Sequence, residues 1–415
     1  MGIEMTTAPT QPDNMLPSFK VPAGEIDRRT RCVQEQLQDA GLDGIIVLQR
    51  VDLFYLSGTA QNGCLYLPAE GSPLLFVKQS VRRARAESPI AHLIEIGSIR
   101  EVPSRIADAC GRPPMKLGFE LDVLPVNEFR FYRELFQPAE CVDASPFILH
   151  SRSLKSAWEI EQLRSTAAMS GRTFDYMRAV IRPGLTEMEF AGIFEAYARG
   201  IGHGGKLRVR HHNTEGYTWH VLSGASGGMV GVLDSPASGA GTSAAFPAGA
   251  GHKRLGTDEP IMVDFGSVMN GYHMDETRMF AIGRMPEPAL RISRAAIELH
   301  QAALENARPG ISAGALFDLV EHMAGSLGLA ESFLGPPGRK VSFIGHGIGL
   351  ELIEPPIIAR GKKTPLAAGM VLALEPKFVH ENRFAAGIES VFEVTENGGR
   401  LISTVPVDIF ICNPG

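Results

Sequence analysis

The sequence predicts an α/β protein, α+β in its layering, with two domains: a smaller N-terminal α/β domain with its own sheet, and a larger C-terminal domain made of two similar α/β halves. Three observations predict this. The chain has 415 residues, 44% of them hydrophobic, which is too long for one ordinary core. Strand patterns alternate with helical patterns over roughly the first 150 residues. A short motif occurs twice, as Arg182-Pro183-Gly184-Leu185-Thr186 and as Arg308-Pro309-Gly310-Ile311-Ser312. Each copy follows one helical segment and opens another, as a duplicated unit would.

Residues 1–24 are polar and rich in Thr, Pro and Gly, and read as a flexible leader with no apolar core of a secretion signal. The first domain is expected over 25–152. Helical spacing runs over 26–40 and stops at Gly41, a C-cap. A short buried strand follows at 45–48. Strands at 64–68 and 74–77 flank the Glu70-Gly71 turn as a hairpin, and 116–119 is a further strand. The second domain is expected over 153–415. Ser156-Ala157-Trp158-Glu159 is a capping box opening a long helix over 158–181. The two motif copies then open helices over 187–200 and 313–325, with Thr186 and Ser312 as N-caps and Pro-Gly ending the helices before them.

Composition narrows the function. The net charge is −6, from 40 basic and 46 acidic residues, which argues against a nucleic-acid partner. The one tight basic run, Arg82-Arg83-Ala84-Arg85, reads as a solvated helix face. The five cysteines are scattered with no C-x-x-C pair, so buried thiols in a reducing compartment are expected rather than disulfides or a thiolate zinc site. No apolar run is long enough to span a bilayer. A cytoplasmic protein with no membrane partner follows.

The chemistry lies in the C-terminal half. Val263-Asp264-Phe265-Gly266 ends an apolar strand over 261–265, and Asp275 follows the turn signal Asn270-Gly271-Tyr272. A hairpin would bring these carboxylates together, at a cost unless they are paired or bind metal. His346 stands between Gly345 and Gly347, which lets backbone pack closely around its ring. Glu375 ends the apolar run Val371-Leu372-Ala373-Leu374, and Glu389 lies in the strand-like run 387–392. Four carboxylates and one imidazole suit Mn, Fe(II), Co or Zn.

These segments resemble the pita-bread metallopeptidases, the group of Xaa-Pro aminopeptidases, prolidases, methionine aminopeptidases and the non-peptidase creatinase. Asp264-Phe265-Gly266 with 271–278 looks like that family's first ligand hairpin. The run 345–351 with Glu354-Pro355-Pro356 looks like its histidine motif, and 369–376 with Ile388-Glu389 like its last two ligand strands. Tyr55-Leu56-Ser57-Gly58 resembles the creatinase and prolidase N-terminal domain. The resemblance implies a creatinase-like first domain, a pita-bread catalytic domain with pseudo-twofold halves, and two divalent metal ions. Asp264 would chelate one ion, Asp275 and Glu389 would bridge both, and His346 and Glu375 would complete the second site. Glu375 would also be the catalytic general base. A homodimer is implied on the same ground.

Three positions depart from the pattern. Counting back from Asp264, the place of an expected histidine holds Phe246-Pro247. Ile353 stands before Glu354 where the motif usually has histidine, and Gly387 stands where an arginine often precedes Ile-Glu. Candidates for the substrate side are therefore His211, His220, His252, Ile353 and Glu354, with Arg208, Arg210 and His212 nearby. A glycine- and alanine-rich insertion over 223–251 is either a surface loop or one that closes over substrate. The main expectation is a dinuclear hydrolase that cleaves a peptide bond of a short peptide. The alternative is a non-peptidase acting on a small amidine, cyclic amide or related metabolite, favoured by the three departures. A binding module without catalysis would have no need of the buried carboxylates.

Overall fold

The structure, a computed structural model, describes residues 19–211, 216, 220–231 and 235–414. Most of the expected leader, and His212, lie outside the described residues. The chain divides into two compact units, Met1–Ser151 and Arg152–Gly415.

In the first unit, α1 (Ala23–Asp39) starts a turn earlier than the apolar spacing predicts. Glu25 extends that first turn by bonding Arg28 and Arg29, each at 2.8 Å. The sheet has the order β4-β3-β2-β1-β5-β6, from β1 (Gly44–Val47), β2 (Gly63–Pro68), β3 (Leu74–Val77), β4 (His92–Glu95), β5 (Lys116–Phe119) and β6 (Glu140–Asp143). The antiparallel β2–β3 pair turns at Gly71, as expected. Helices α2 (Arg50–Ser57), α3 (Val81–Glu87), α4 (Val102–Cys110) and α5 (Val126–Leu135) alternate with the strands, and α6 (Ser145–Ser153) follows them. Ile46, Phe76 and Phe119 are fully buried against the sheet. On α3, Arg82, Arg83 and Arg85 are exposed and Ala84 packs inward. The expectation of buried thiols holds for Cys64 and Cys412 but not for Cys110, which is exposed on the last turn of α4.

The second unit opens with α7 (Ala157–Val180). Ser156 Oγ accepts from the Glu159 amide and Glu159 Oε2 from the Ser156 amide, both at 3.1 Å, completing the predicted capping box. Then come α8 (Glu187–Gly200), β7 (His220–Ser223), β8 (Ile261–Met269), β9 (Tyr272–Ile282), α9 (Glu287–Asn306) and α10 (Ala313–Ser326). The chain ends with β10 (Phe343–Gly347), β11 (Glu354–Ala359), β12 (Val371–Leu374), β13 (Lys377–His380), β14 (Phe384–Gly387), β15 (Ser390–Thr395), β16 (Gly398–Leu401) and β17 (Ile409–Cys412). One sheet has the order β17-β9-β8-β7 and the other β11-β10-β12-β15-β16, with β13–β14 as a separate ribbon.

The five-residue motif marks equivalent places in two halves. Gly184 N donates to Leu255 O and Gly310 N to Leu366 O, both at 2.9 Å, while Leu255 N donates to Leu185 O and Leu366 N to Ile311 O, both at 2.8 Å. The glycines need their lack of a side chain here, with φ of 87° and 92°. Thr186 and Ser312 cap α8 and α10 as expected. Phe174, Phe190, Phe194, Phe265 and Phe280 fill the core of one half, and Leu316, Phe317, Ile344, Leu372 and Phe392 that of the other.

Candidate metal centre

The β8–β9 hairpin turns at Asn270 and Gly271, both with positive φ, a pairing that matches the strands' twist. Its register sets Asp264 opposite Thr277 and Gly266 opposite Asp275. Because side chains alternate along a strand, Asp264, Asp275 and Thr277 share one face. Every residue of β9 is buried.

His346 comes from β10, between β11 and β12. A Cβ on Gly345 would lie 2.3 Å from Ala373 O, and one on Gly347 would lie 2.4 Å from Pro355 O. Glycine on both sides is thus what lets neighbouring strands close around the imidazole. His346 Nδ1 lies 3.0 Å from the Gly347 carbonyl oxygen. A proton held there leaves the Nε2 lone pair facing the carboxylates. Nε2 is 3.9 Å from Asp275 Oδ2 and 3.7 Å from Glu375 Oε1.

Glu375 and Glu389 sit at junctions. Glu375 lies between β12 and β13, its amide donating to Ile344 O at 2.8 Å. The strand-like run expected over 387–392 breaks at Ile388-Glu389, where the chain passes from the ribbon into β15. There Glu389 pairs with β9: its amide donates to Thr277 O at 3.1 Å, and Thr277 Oγ1 donates to Glu389 Oε2 at 2.8 Å. Arg278 secures the junction from the other face. Its guanidinium donates to Glu389 O at 2.5 Å, Val405 O at 2.7 Å and Pro406 O at 2.6 Å.

Sequence reasoning missed one member of this cluster. Lys377, 1% exposed at the start of β13, places Nζ 3.0 Å from Asp264 Oδ2, 2.8 Å from Glu375 Oε2 and 3.0 Å from Glu389 Oε2. Burial alone would lower its pKa, but the three carboxylates hold it well above the usual lysine range. The available signal was a lysine inside the apolar run 376–379. Asp264, despite its burial, is held low by Lys377 and His220. Burial, with Glu389 and Asp264 adding repulsion, pushes Asp275 well above the carboxylate range. Burial outweighs Lys377 at Glu389 and raises it to about 8.

Lys377 thus only partly offsets the negative charge of this cluster. Asp275, His346 and Glu389 each offer one ligand atom, and these atoms lie within 4.8 Å of one another. Two oxygens and one imidazole nitrogen fit one divalent ion of the Mn, Fe, Co or Zn type. Asp264, expected at one ion, and Glu375, expected at the other, are both engaged by the Lys377 ammonium.

The substrate-side candidates separate. His220 pairs in register with Asp264 across β7–β8, its Nδ1 4.0 Å from Asp264 Oδ2. Pro247, reached by counting back along the sequence, is instead exposed in the insertion. The insertion is not simply a surface loop. Glu187 accepts from Ser223 N, Ser226 Oγ and Gly251 N, which ties its ends together, and residues 236–239 and 248–251 are buried. His211 and His252 are exposed. Arg208 runs beside the histidine motif, its amide donating to His273 Nε2 at 3.0 Å and its carbonyl accepting from Leu352 N at 2.8 Å. Ile353 is 39% exposed. Glu354 belongs to a buried ion cluster: Arg152 Nη2 donates to Glu354 Oε1 at 2.5 Å and to Glu351 Oε2 at 2.8 Å, and Lys155 Nζ lies 3.2 Å from Glu354 Oε2.

Known proteins match both units. Residues 161–396 match the model of metallopeptidase family M24, and residues 29–154 match the creatinase/prolidase N-terminal domain. An Xaa-Pro dipeptidase from Pyrococcus furiosus is 23% identical over 88% of this chain and 95% of its own. In structure, the chain is similar to an Xaa-Pro dipeptidase from Bacillus anthracis, with a TM-score of 0.79 and 22% identity over 93% of this chain and 99% of that one. It is also similar to dipeptidase PepE from Mycobacterium ulcerans, with a TM-score of 0.77 and 24% identity over 95% and 100%. Both structural likenesses carry the pita-bread fold with its creatinase-like first domain. The family match spans more than half of the sequence and runs through all five expected ligands, so the chain belongs to metallopeptidase family M24 and is a metallopeptidase-type hydrolase.

Proposed function

We propose that this hydrolase cleaves a peptide bond of a short peptide, with Asp275, His346 and Glu389 holding a divalent ion and Glu375 acting as general base. The observation that carries the reading is the convergence of these side chains in one buried cluster. The names of the relatives, Xaa-Pro dipeptidases among them, support short peptides as the substrate class. An ion bound there would polarise the scissile carbonyl and acidify a water molecule. Glu375 has one oxygen held by Lys377 and the other, Oε1, facing His346 Nε2. That second oxygen takes the water's proton and passes it to the departing amine. His220, beside Asp264, is the histidine best placed to face the substrate from β7.

A divalent ion of the Mn, Co, Zn or Fe type, a homodimeric assembly and a cytoplasmic location complete the reading. The first is supported by the donor set, the second by family resemblance, and the third by cysteines without a disulfide framework. The test is a panel of dipeptides, with and without proline in the second position, assayed on protein loaded with Mn(II) or Co(II). Turnover of at least one dipeptide, lost on chelation and restored by metal, is expected. A fully loaded, folded protein inert on the whole panel would overturn the peptidase reading in favour of a small amidine or cyclic amide, the chemistry that the Ile353 and Gly387 departures favour.

A further inference from the structure

We propose that the Lys377 ammonium is the resident cation of one half of the five-residue centre, so that the centre takes a single divalent ion, on Asp275, His346 and Glu389. The proposal rests on the metal-dependent reading above and changes what its metal centre contains. Asp264 then serves as an acceptor for lysine rather than as a metal ligand.

The first ground is geometric. Nζ lies within 3.0 Å of an oxygen of Asp264, of Glu375 and of Glu389. A second ion bound to those same oxygens at about 2.1 Å would sit no more than about 5 Å from the ammonium, cation facing cation. It would also compete for lone pairs that lysine already uses.

The second ground is that the surroundings are shaped to the lysine. Lys377 and Gly387 are direct partners in the β13–β14 ribbon. A Cβ on Gly387 would lie 2.5 Å from Lys377 Cγ and 3.1 Å from its Cβ. The lysine stem thus passes over the position that has no side chain of its own, immediately before Ile388-Glu389. The departure at 387 and the lysine at 377 are two halves of one arrangement: the space of a side chain on β14 is used by a side chain from β13.

The third ground is confinement. Lys377 is 1% exposed, and its neighbours in the ribbon, Phe378, Val379, Ala385 and Ala386, are buried as well. An ammonium displaced from the three carboxylates would give up three charged acceptors in a buried place, which is strongly unfavourable. Four carboxylates can be balanced by two divalent ions, or largely by one divalent ion and one ammonium. The chain carries the second solution.

The test counts ions rather than turnover. Chelator-stripped protein is loaded with Mn(II), desalted, measured by elemental analysis and read by electron paramagnetic resonance. Wild type is expected to keep about one ion per chain, with the spectrum of an isolated Mn(II). Lys377→Gly, which removes both charge and stem, is expected to keep about two and to show an exchange-coupled pair, since paired ions sit about 3.5–4 Å apart. Lys377→Ala is made alongside it, in case glycine weakens the ribbon, and circular dichroism verifies that each variant is folded. Two ions or a coupled spectrum in wild type would overturn the proposal while leaving the metallopeptidase reading intact. Folded variants that both stay at one ion would also overturn it. No bound ion in wild type would overturn the proposal and the metal-dependent reading together.

Discussion

Arg278 donates to the carbonyl oxygen of Glu389 at 2.5 Å from a fully buried position in β9. The same guanidinium reaches Ser390, Val405 and Pro406. Burial lowers its pKa to about 10, which still leaves it charged at neutral pH. Arg278→Lys keeps the charge and loses the planar fork, leaving buried carbonyl groups without donors. A loss of about 2–4 kcal/mol of stability is expected, together with weaker metal retention because Glu389 is no longer held. Urea denaturation and metal counting on the same sample measure the two effects. A variant as stable as wild type would remove Arg278 from this positioning role.

The ion cluster around Glu354 predicts sensitivity to acid. Burial by itself would raise the Glu354 pKa, but Arg152 and Lys155 bring it down to about 2 from an ordinary 4.5. A carboxylate with a lowered folded pKa contributes stability that is fully present above about pH 4.5 and is lost as the pH falls towards 2. The shift corresponds to about 3 kcal/mol. Glu354→Gln should flatten the fall in stability over that window and cost about 3–5 kcal/mol at pH 7, because Arg152 and Lys155 keep their charges in a buried place. Denaturation curves from pH 7 to about pH 2 on both proteins measure this. Parallel pH dependence in the two would show that Glu354 is not the group responsible.

The duplicated motif gives a matched pair of substitutions. A Cβ at Gly184 or Gly310 would meet nothing within 4 Å, so only the positive φ opposes a side chain. Gly184→Ala and Gly310→Ala should each cost about 1–2 kcal/mol. Their effects should add, since the two residues lie in different halves. Thermal melts of both single variants and the double variant would test this. A neutral effect at one site and a large effect at the other would argue against equivalent roles.

Glu375→Gln keeps shape and hydrogen bonding to Lys377 but cannot take a proton. Turnover is expected to fall by about a thousand-fold or more with little change in melting temperature. Rates within a few-fold of wild type on any substrate found would show that another group is the base.

The members of the buried cluster were legible in the sequence because each sits beside the residues that position it. Gly345 and Gly347 bracket His346, Asn270-Gly271 turns the hairpin that carries Asp264 and Asp275, and apolar strands lead up to Glu375. What was not legible depends on pairing between distant segments. His220 faces Asp264 because Ser223 and Ile261 are in register at the neck of a long connection, and counting residues along that connection leads to Pro247 instead. Glu354 read as a substrate contact because its partners Arg152 and Lys155 lie far upstream. Lys377 looked like a lone charge in an apolar strand, and its meaning appears only once three carboxylates from three other places are known to meet at its tip.

An ammonium on β13 is synthesised with the chain. A shortage of metal cannot withhold it and a chelator cannot strip it. On the proposal above, Asp264 on the hairpin and Glu375 at the start of the ribbon are joined by a charge that belongs to the chain itself. A chain without metal would then still keep these carboxylates gathered at one ammonium, which a bound ion alone could not do for it.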